Sequence, residues 1–227
     1  MIDQGHQLPQ SFFDGDARRV AKNLLGKVLC HLVDGMWLAA TIVETEAYYR
    51  REKSSHASLG FTQKRRALFM TPGTIYMYYA RGGDSFNISV RGAGNAVLLK
   101  AGFPYLEAGH SHQMLARLQR NNPLPSGRQR SVERLCAGQT LLCRALGLRV
   151  PDWDGREFDP DKLQIRDVGQ KPGRAIQTTR LGIPAGRDGH LPYRYVDIRH
   201  PRSSTVNPFG RGGSLPCHAR IIKLSGE

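Results

Sequence analysis

The chain has 227 residues, with 33 Lys and Arg against 19 Asp and Glu and a formal charge of +14. At roughly 150 residues per domain this length suits one large domain or two small ones, and 40% hydrophobic with 23% charged residues is the composition of a globular chain rather than a disordered one. No run approaches the ~18 apolar residues of a membrane span, and Met1-Ile2-Asp3-Gln4-Gly5-His6 lacks a basic region followed by an apolar one. The reading is a soluble protein of the cell interior with no secretory signal.

In chain order, Asp14 to Gly26 carries Ala17, Val20, Ala21, Leu24 and Leu25 at three- and four-residue spacing. That predicts an amphipathic helix with an Asp cap and a stop at Gly26. Strand patterns follow. Val28 to Val33, Trp37 to Tyr48, Thr74 to Tyr79, Phe86 to Arg91 and Ala96 to Ala101 are rich in β-branched and aromatic residues. Gly35, Gly82-Gly83 and Gly92-Ala93-Gly94 mark hairpin turns, and connections so short imply antiparallel neighbours. Helices are predicted over Pro104 to Asn121 and Ser131 to Leu146, with an exposed basic loop at 121–128 between them. Lys162 to Val168 and Tyr193 to Arg199 are later strands. Pro201 to Gly213, rich in Pro, Gly, Ser and Arg, reads as a mobile surface loop. With no repeat and no long linker, the expectation is a single α+β domain over 1–227.

Cys30, Cys136, Cys143 and Cys217 are scattered, without a Cys-x-x-Cys pair or zinc-finger spacing, and read as four reduced core thiols. His110 and His112 alone are weak evidence for a metal, so no structural metal is expected. The charge points further. An excess of this size draws a polyanion by counterion release, and DNA or RNA is the default partner. The basic residues gather at Arg50-Arg51, Lys64-Arg65-Arg66, Arg117 to Arg130 and Arg199 to Arg211.

Chemistry concentrates in Ile42-Val43-Glu44-Thr45-Glu46-Ala47-Tyr48. On a strand, residues 44, 46 and 48 share one face, so two carboxylates and a phenol project together. Either this is an edge strand with its polar face in water, or a buried carboxylate is poised as a base; the pattern alone does not choose. In Pro72-Gly73-Thr74-Ile75-Tyr76-Met77-Tyr78-Tyr79, Tyr76 and Tyr78 fall on one face. Each alone reads first as core, yet several phenols in a strongly basic chain also suit stacking against an unpaired base. His56 lies in the polar stretch Lys53-Ser54-Ser55-His56-Ala57-Ser58, as a ligand contact or an exposed imidazole.

These segments, with Asn87-Ile88 and Val97-Leu98-Leu99-Lys100-Ala101, fall in an order that resembles the alkyladenine (3-methyladenine, hypoxanthine) DNA glycosylase family. Ser11-Phe12-Phe13-Asp14, Leu24-Leu25-Gly26-Lys27-Val28-Leu29, Arg134-Leu135-Cys136-Ala137-Gly138 and Leu142-Cys143-Arg144-Ala145-Leu146 extend the likeness over about residues 8–148. The resemblance implies a curved, mostly antiparallel sheet with flanking helices and a protruding hairpin that enters the DNA minor groove. It implies a monomer that uses no metal or organic cofactor. Such an enzyme flips alkylated or deaminated purines (3-methyladenine, 7-methylguanine, hypoxanthine, ethenoadenine) from double-stranded DNA and hydrolyses the base–sugar bond in base excision repair, with water as nucleophile and no lyase step.

By position, the resemblance makes Glu46 the carboxylate that activates water, Tyr48, His56 and Tyr78 the rings around the flipped base, and Asn87 the residue that crowds guanine's amino group. Lys100 stands where the family has an arginine near the water and the target phosphate. At the hairpin tip no tyrosine aligns; Arg81 is the first wedge candidate and Tyr79 the second. The altered tip and Lys100 leave a competing reading, a nucleic-acid-binding protein on the same scaffold with weakened catalysis. A hydrolase of free nucleosides or nucleotides would have little use for so large a positive charge.

Overall fold

The sheet is built around one long strand in this structure, a computed structural model that describes residues 5–80, 82–107, 111–210 and 212–224. In chain order the elements are β1 (His6–Gln7), α1 (Ala17–Leu24), β2 (Val28–Val33), β3 (Met36–Tyr48), β4 (Ile75–Ala80), β5 (Gly83–Ser89) and β6 (Ala96–Pro104). Then come α2 (Ser111–Asn121), α3 (Gln139–Leu146), α4 (Val150–Trp153), β7 (Leu163–Asp167), β8 (Arg174–Thr178), β9 (Arg194–Asp197) and β10 (Arg220–Lys223).

These ten strands form one sheet, ordered β1-β7-β2-β3-β6-β5-β4, with β9, β8 and β10 branching from β3. All the pairings are antiparallel. The α+β expectation is met, and the three short-turn hairpins fall where the glycines put them. In the first, Asp34 and Gly35 sit at φ 49° and 76° between the paired Val33 and Met36, the two left-handed positions that a primed hairpin turn requires.

α1 lies on the sheet with Ala17, Val20, Ala21 and Leu24 buried. Asp16 Oδ1 accepts from the backbone N–H groups of Arg18 (3.0 Å) and Arg19 (3.3 Å), a cap worth about 1 kcal/mol. The Thr45 hydroxyl donates to Ala21 O at 2.8 Å and ties helix to strand. Across the sheet, Leu29, Leu99, Ile75, Met77 and Phe86 join this core.

Several expectations need correction. The helix read over Ser131 to Leu146 is two pieces, a single 3-10 turn at Val132–Arg134 and then α3. Cys136 O is drawn off to accept from Gly102 N of β6 (3.0 Å), and Gly138, at φ 144°, takes a backbone path that interrupts the helix. The helix read from Pro104 starts instead at Ser111. Here β6 runs on to Pro104, and Tyr105 N still donates to Ala39 O of β3 (3.1 Å). The short strands β8 and β10 were not anticipated. Cys30, Cys136 and Cys143 are buried, and burial pushes the Cys30 and Cys136 thiols up to about 12, whereas Cys217 is exposed. The segment from Pro201 opens with a 3-10 turn in which Ser203 is buried. The Arg134 guanidinium fastens it by donating to Arg202 O (2.7 Å), Ser204 O (2.9 Å) and Thr205 O (3.4 Å). Among the described residues no helix is long and apolar enough to cross a membrane.

Candidate active site

β3 is a central strand, which settles the two readings of its polar face. Its first half pairs with β2; its second half lies between β6 on one side and β9 on the other, with Glu46 registered against Leu98 and Arg194. Register shifts around Glu44 mark an irregularity in the β3–β6 ladder. Glu44 and Glu46 are therefore both 0% exposed. Carboxylates so placed need partners, and the two have different ones. Glu44 is fully committed to the fold, since Oε1 accepts from Arg194 Nε (2.5 Å) and Oε2 from Thr205 N (2.6 Å). Glu46 is held more lightly. Oε2 accepts from the Tyr48 hydroxyl (2.7 Å), Oε1 from Leu181 N (3.1 Å), and the Lys100 ammonium stands 3.6 Å from Oε2, beyond hydrogen-bond reach.

Tyr48, Lys100 and Leu181 also line a cleft of about 760 Å³. Glu46 thus lies behind the wall of a hollow large enough for a nucleotide-sized ligand. His56, Tyr76, Tyr78 and Asn87 line the same cleft. The His56 and Tyr78 rings meet at 4.4 Å between centroids with a 61° tilt, and Tyr76 stacks on Tyr78 at 5.6 Å and 28°. His56 Nδ1 is 3.0 Å from the Tyr76 hydroxyl. Burial, with help from Arg65 and Arg187, holds His56 below the ordinary histidine range, so the imidazole is neutral at pH 7. Asn87 is fixed by donating from Nδ2 to Tyr76 O (3.2 Å). Burial and the neighbouring Glu46 carboxylate raise the Tyr48 phenol well above its usual range, so it remains a donor.

All six cleft residues singled out in the sequence therefore come together here. Of the two wedge candidates, one is described. Arg81 lies outside the described residues. Tyr79 is 68% exposed and, by strand alternation with Met77, faces away from Tyr76 and Tyr78. Ala80 pairs with Gly83 in the β4–β5 ladder.

Three contributors had no signature in the sequence. Arg180 sits behind Tyr48, with its guanidinium carbon 4.5 Å from the ring centroid. It joins three segments by donating to Ala47 O (2.9 Å), Glu52 Oε2 (2.5 Å) and Ser54 Oγ (2.8 Å). Leu181 acts through its backbone, which no side-chain pattern encodes. Gln139, the first residue of α3, accepts from Lys100 Nζ at 3.1 Å. The Gly138 break that places Gln139 at the cleft was the one available cue.

Residues 11–201 match the family model described as methylpurine-DNA glycosylase. A Pseudomonas savastanoi pv. phaseolicola protein named, as a provisional assignment, 3-methyladenine DNA glycosylase is 61% identical over 205 residues, which cover 90% of this chain and 92% of that protein. A Mus musculus protein named DNA-3-methyladenine glycosylase is 34% identical over 214 residues, covering 90% of this chain and 63% of the mouse protein. With a match that runs from ahead of α1 to past β9 and takes in every residue of the cleft wall named above, the chain belongs to the methylpurine-DNA glycosylase family.

Proposed function

We propose that this chain is a monofunctional DNA repair glycosylase that extrudes alkylated or deaminated purines from duplex DNA into the cleft and hydrolyses their N-glycosidic bond. The observation that carries the reading is Glu46, a carboxylate with no exposed surface whose partners Tyr48, Lys100 and Leu181 all line an aromatic cleft. For a water to reach Oε2, the Tyr48 hydroxyl and the Lys100 ammonium must part by the width of one molecule. Entry of a nucleotide between them supplies that displacement.

In this reading the bond from C1′ to the base breaks first, and its electron pair leaves with the purine. The sugar then carries oxocarbenium-like positive charge, which the Glu46 carboxylate stabilises. The same carboxylate accepts a proton as the water oxygen bonds to C1′. A purine alkylated on a ring nitrogen already carries the positive charge that makes it a good leaving group, so one carboxylate suffices for that class, whereas neutral hypoxanthine must take a proton from solvent as it leaves with the electron pair. Tyr48, Tyr78 and His56 offer electron-rich faces to such a cation, and a neutral His56 adds no charge to repel it. Asn87, pinned to Tyr76 O, is a fixed obstacle for the edge of an undamaged guanine. The charge of +14 supports DNA as the partner.

The test is single-turnover excision on duplexes carrying one hypoxanthine or one 7-methylguanine, with wild type beside Glu46→Gln. Base release that leaves an abasic site, reduced ~10³-fold or more by the substitution, is the expected result, because both the base and the anion are lost. Excision that persists within tenfold in Glu46→Gln assigns the chemistry elsewhere.

A further inference from the structure

A second hollow, of about 470 Å³, is bordered by Arg117, Arg144 and Arg149 with Asp34 and Asp152. The β4–β5 hairpin meets the walls of both hollows. Ala80 and Thr140 border the cleft. One helical turn beyond Thr140, Arg144 borders the second hollow and donates from Nη2 to Gly82 O at 2.9 Å. Asp84, just past the tip, accepts from Val150 N (2.8 Å) and fixes the hairpin to the start of α4.

The two acids do not cancel the recess. Arg117 Nη2 pairs with Asp34 Oδ2 (2.6 Å) and Arg149 Nε with Asp152 Oδ2 (2.9 Å), but the side chains of Asp34 and Arg149 are 73% and 70% exposed. Pairs so open to water contribute little. Each also uses only part of a guanidinium that has five N–H donors. Arg144 spends one donor on a carbonyl. These bonds take up only part of each guanidinium, a set suited to the oxygens of a phosphodiester.

We propose that this recess receives a backbone phosphodiester of the complementary strand. The proposal rests on the glycosylase reading of the cleft and goes beyond it. A hairpin that enters a minor groove about 6 Å wide has a sugar–phosphate strand on either side of it. The damaged strand delivers its nucleotide to the cleft side. The opposite side then faces the undamaged strand, and there the protein presents three arginines. Held at both strands, the duplex is kept from rolling away from the tip as the nucleotide leaves the stack.

The test compares Arg117→Gln/Arg149→Gln with its parent, both in the Glu46→Gln background so that DNA stays intact; Arg144 is kept because it also holds the hairpin. Dissociation constants are measured over a salt series for a hypoxanthine duplex and for the same damaged strand alone. The duplex should bind about tenfold more weakly, with a salt slope shallower by ~0.9 for each phosphate that the variant no longer neutralises, while the single strand binds as before. Neutral methylphosphonate linkages in the complementary strand should weaken the parent and leave the double variant unaffected, a readout that needs no change to the protein. Equal losses on duplex and single strand would place the arginines on the damaged strand, and an unchanged duplex slope would take the recess out of the interface. Either result overturns the proposal. Failure of wild type to excise any damaged base would instead strike the reading of the cleft, which the excision assay reports separately.

Discussion

Lys100 and Glu46 should be energetically coupled, and the geometry sets the size of the coupling. Nζ stands 3.6 Å from Oε2, with the two side chains 10% and 0% exposed. At an effective dielectric of about 20, unit charges at that separation attract by about 4–5 kcal/mol, before the cost of desolvating both is subtracted. Lys100→Met removes the cation and leaves a buried carboxylate supported only by the Tyr48 hydroxyl and Leu181 N. The expected loss is about 3 kcal/mol, near the lower end for breaking a buried pair. Glu46→Gln leaves Lys100 with its Gln139 bond and a route to the cleft, so it should cost about 1 kcal/mol. The double variant contains neither charge and should lose about 2 kcal/mol rather than the additive 4. At about 2–4 °C per kcal/mol for a chain of this size, the melting points separate cleanly. Urea unfolding of all four proteins closes the cycle. Additivity within about 0.5 kcal/mol would refute the coupling and, with it, the view that Lys100 is held beside the carboxylate by electrostatics rather than by packing.

Glu44→Gln should divide stability from chemistry. Losing the charge that faces buried Arg194 is expected to cost about 2–3 kcal/mol, while excision per folded molecule stays within about threefold because both Glu44 oxygens are taken by Arg194 Nε and Thr205 N; a rate loss like that of Glu46→Gln would mean the two carboxylates share the work. His31 predicts a pH effect. Its Nδ1–H donates to Leu146 O (2.7 Å), Nε2 accepts from Trp153 Nε1 (3.3 Å), and burial holds it below the usual 6.5. The unfolded chain gains that proton near its ordinary pKa and the folded chain only at lower pH, so the contribution is complete above about 6.5 and is lost as pH falls from there toward the depressed folded value. His56 and His200 shift in the same direction. His31→Gln should therefore melt with a shallower pH dependence than wild type between pH 7 and 5, by up to ~1.4 kcal/mol per pH unit; parallel curves would remove His31 from the acid response.

What the sequence made legible follows from the range of the forces involved. α1 and the hairpins through β6 were readable because their signals are local. A capping Asp, an apolar period and a paired Asp34-Gly35 act within a few residues. The split before α3 was hidden because it depends on Cys136 O finding Gly102 N on a strand more than thirty residues away. β8 and β10 are short strands whose β character comes from pairing with each other and with β9, not from composition. At the site, Glu46, Tyr48, His56, Tyr78, Asn87 and Lys100 were found through the ordered family pattern. Arg180, Leu181 and Gln139 were missed because each works at a distance in sequence, through a cation under a ring, a backbone N–H or a single amide oxygen.

The pairing of β3 explains why two carboxylates two residues apart on one strand face have different fates. From Leu38 to Ala47 every residue of β3 is buried, so neither acid is left to water. Opposite Glu44, the Arg194 side chain and the turn at Thr205 fill both oxygens with close donors. That ion is paired in place, and its two oxygens hold β9 and the segment at Thr205 to β3. Opposite Glu46 the donors are a phenol, a backbone N–H and an ammonium kept at arm's length because Gln139 takes one of its hydrogens. The first two satisfy the anion without neutralising it. The third supplies compensating charge without closing on the oxygen. The fold thus builds one carboxylate as a fastening and leaves its neighbour buried and oriented by partners that line the cleft, the placement that the proposed general base requires.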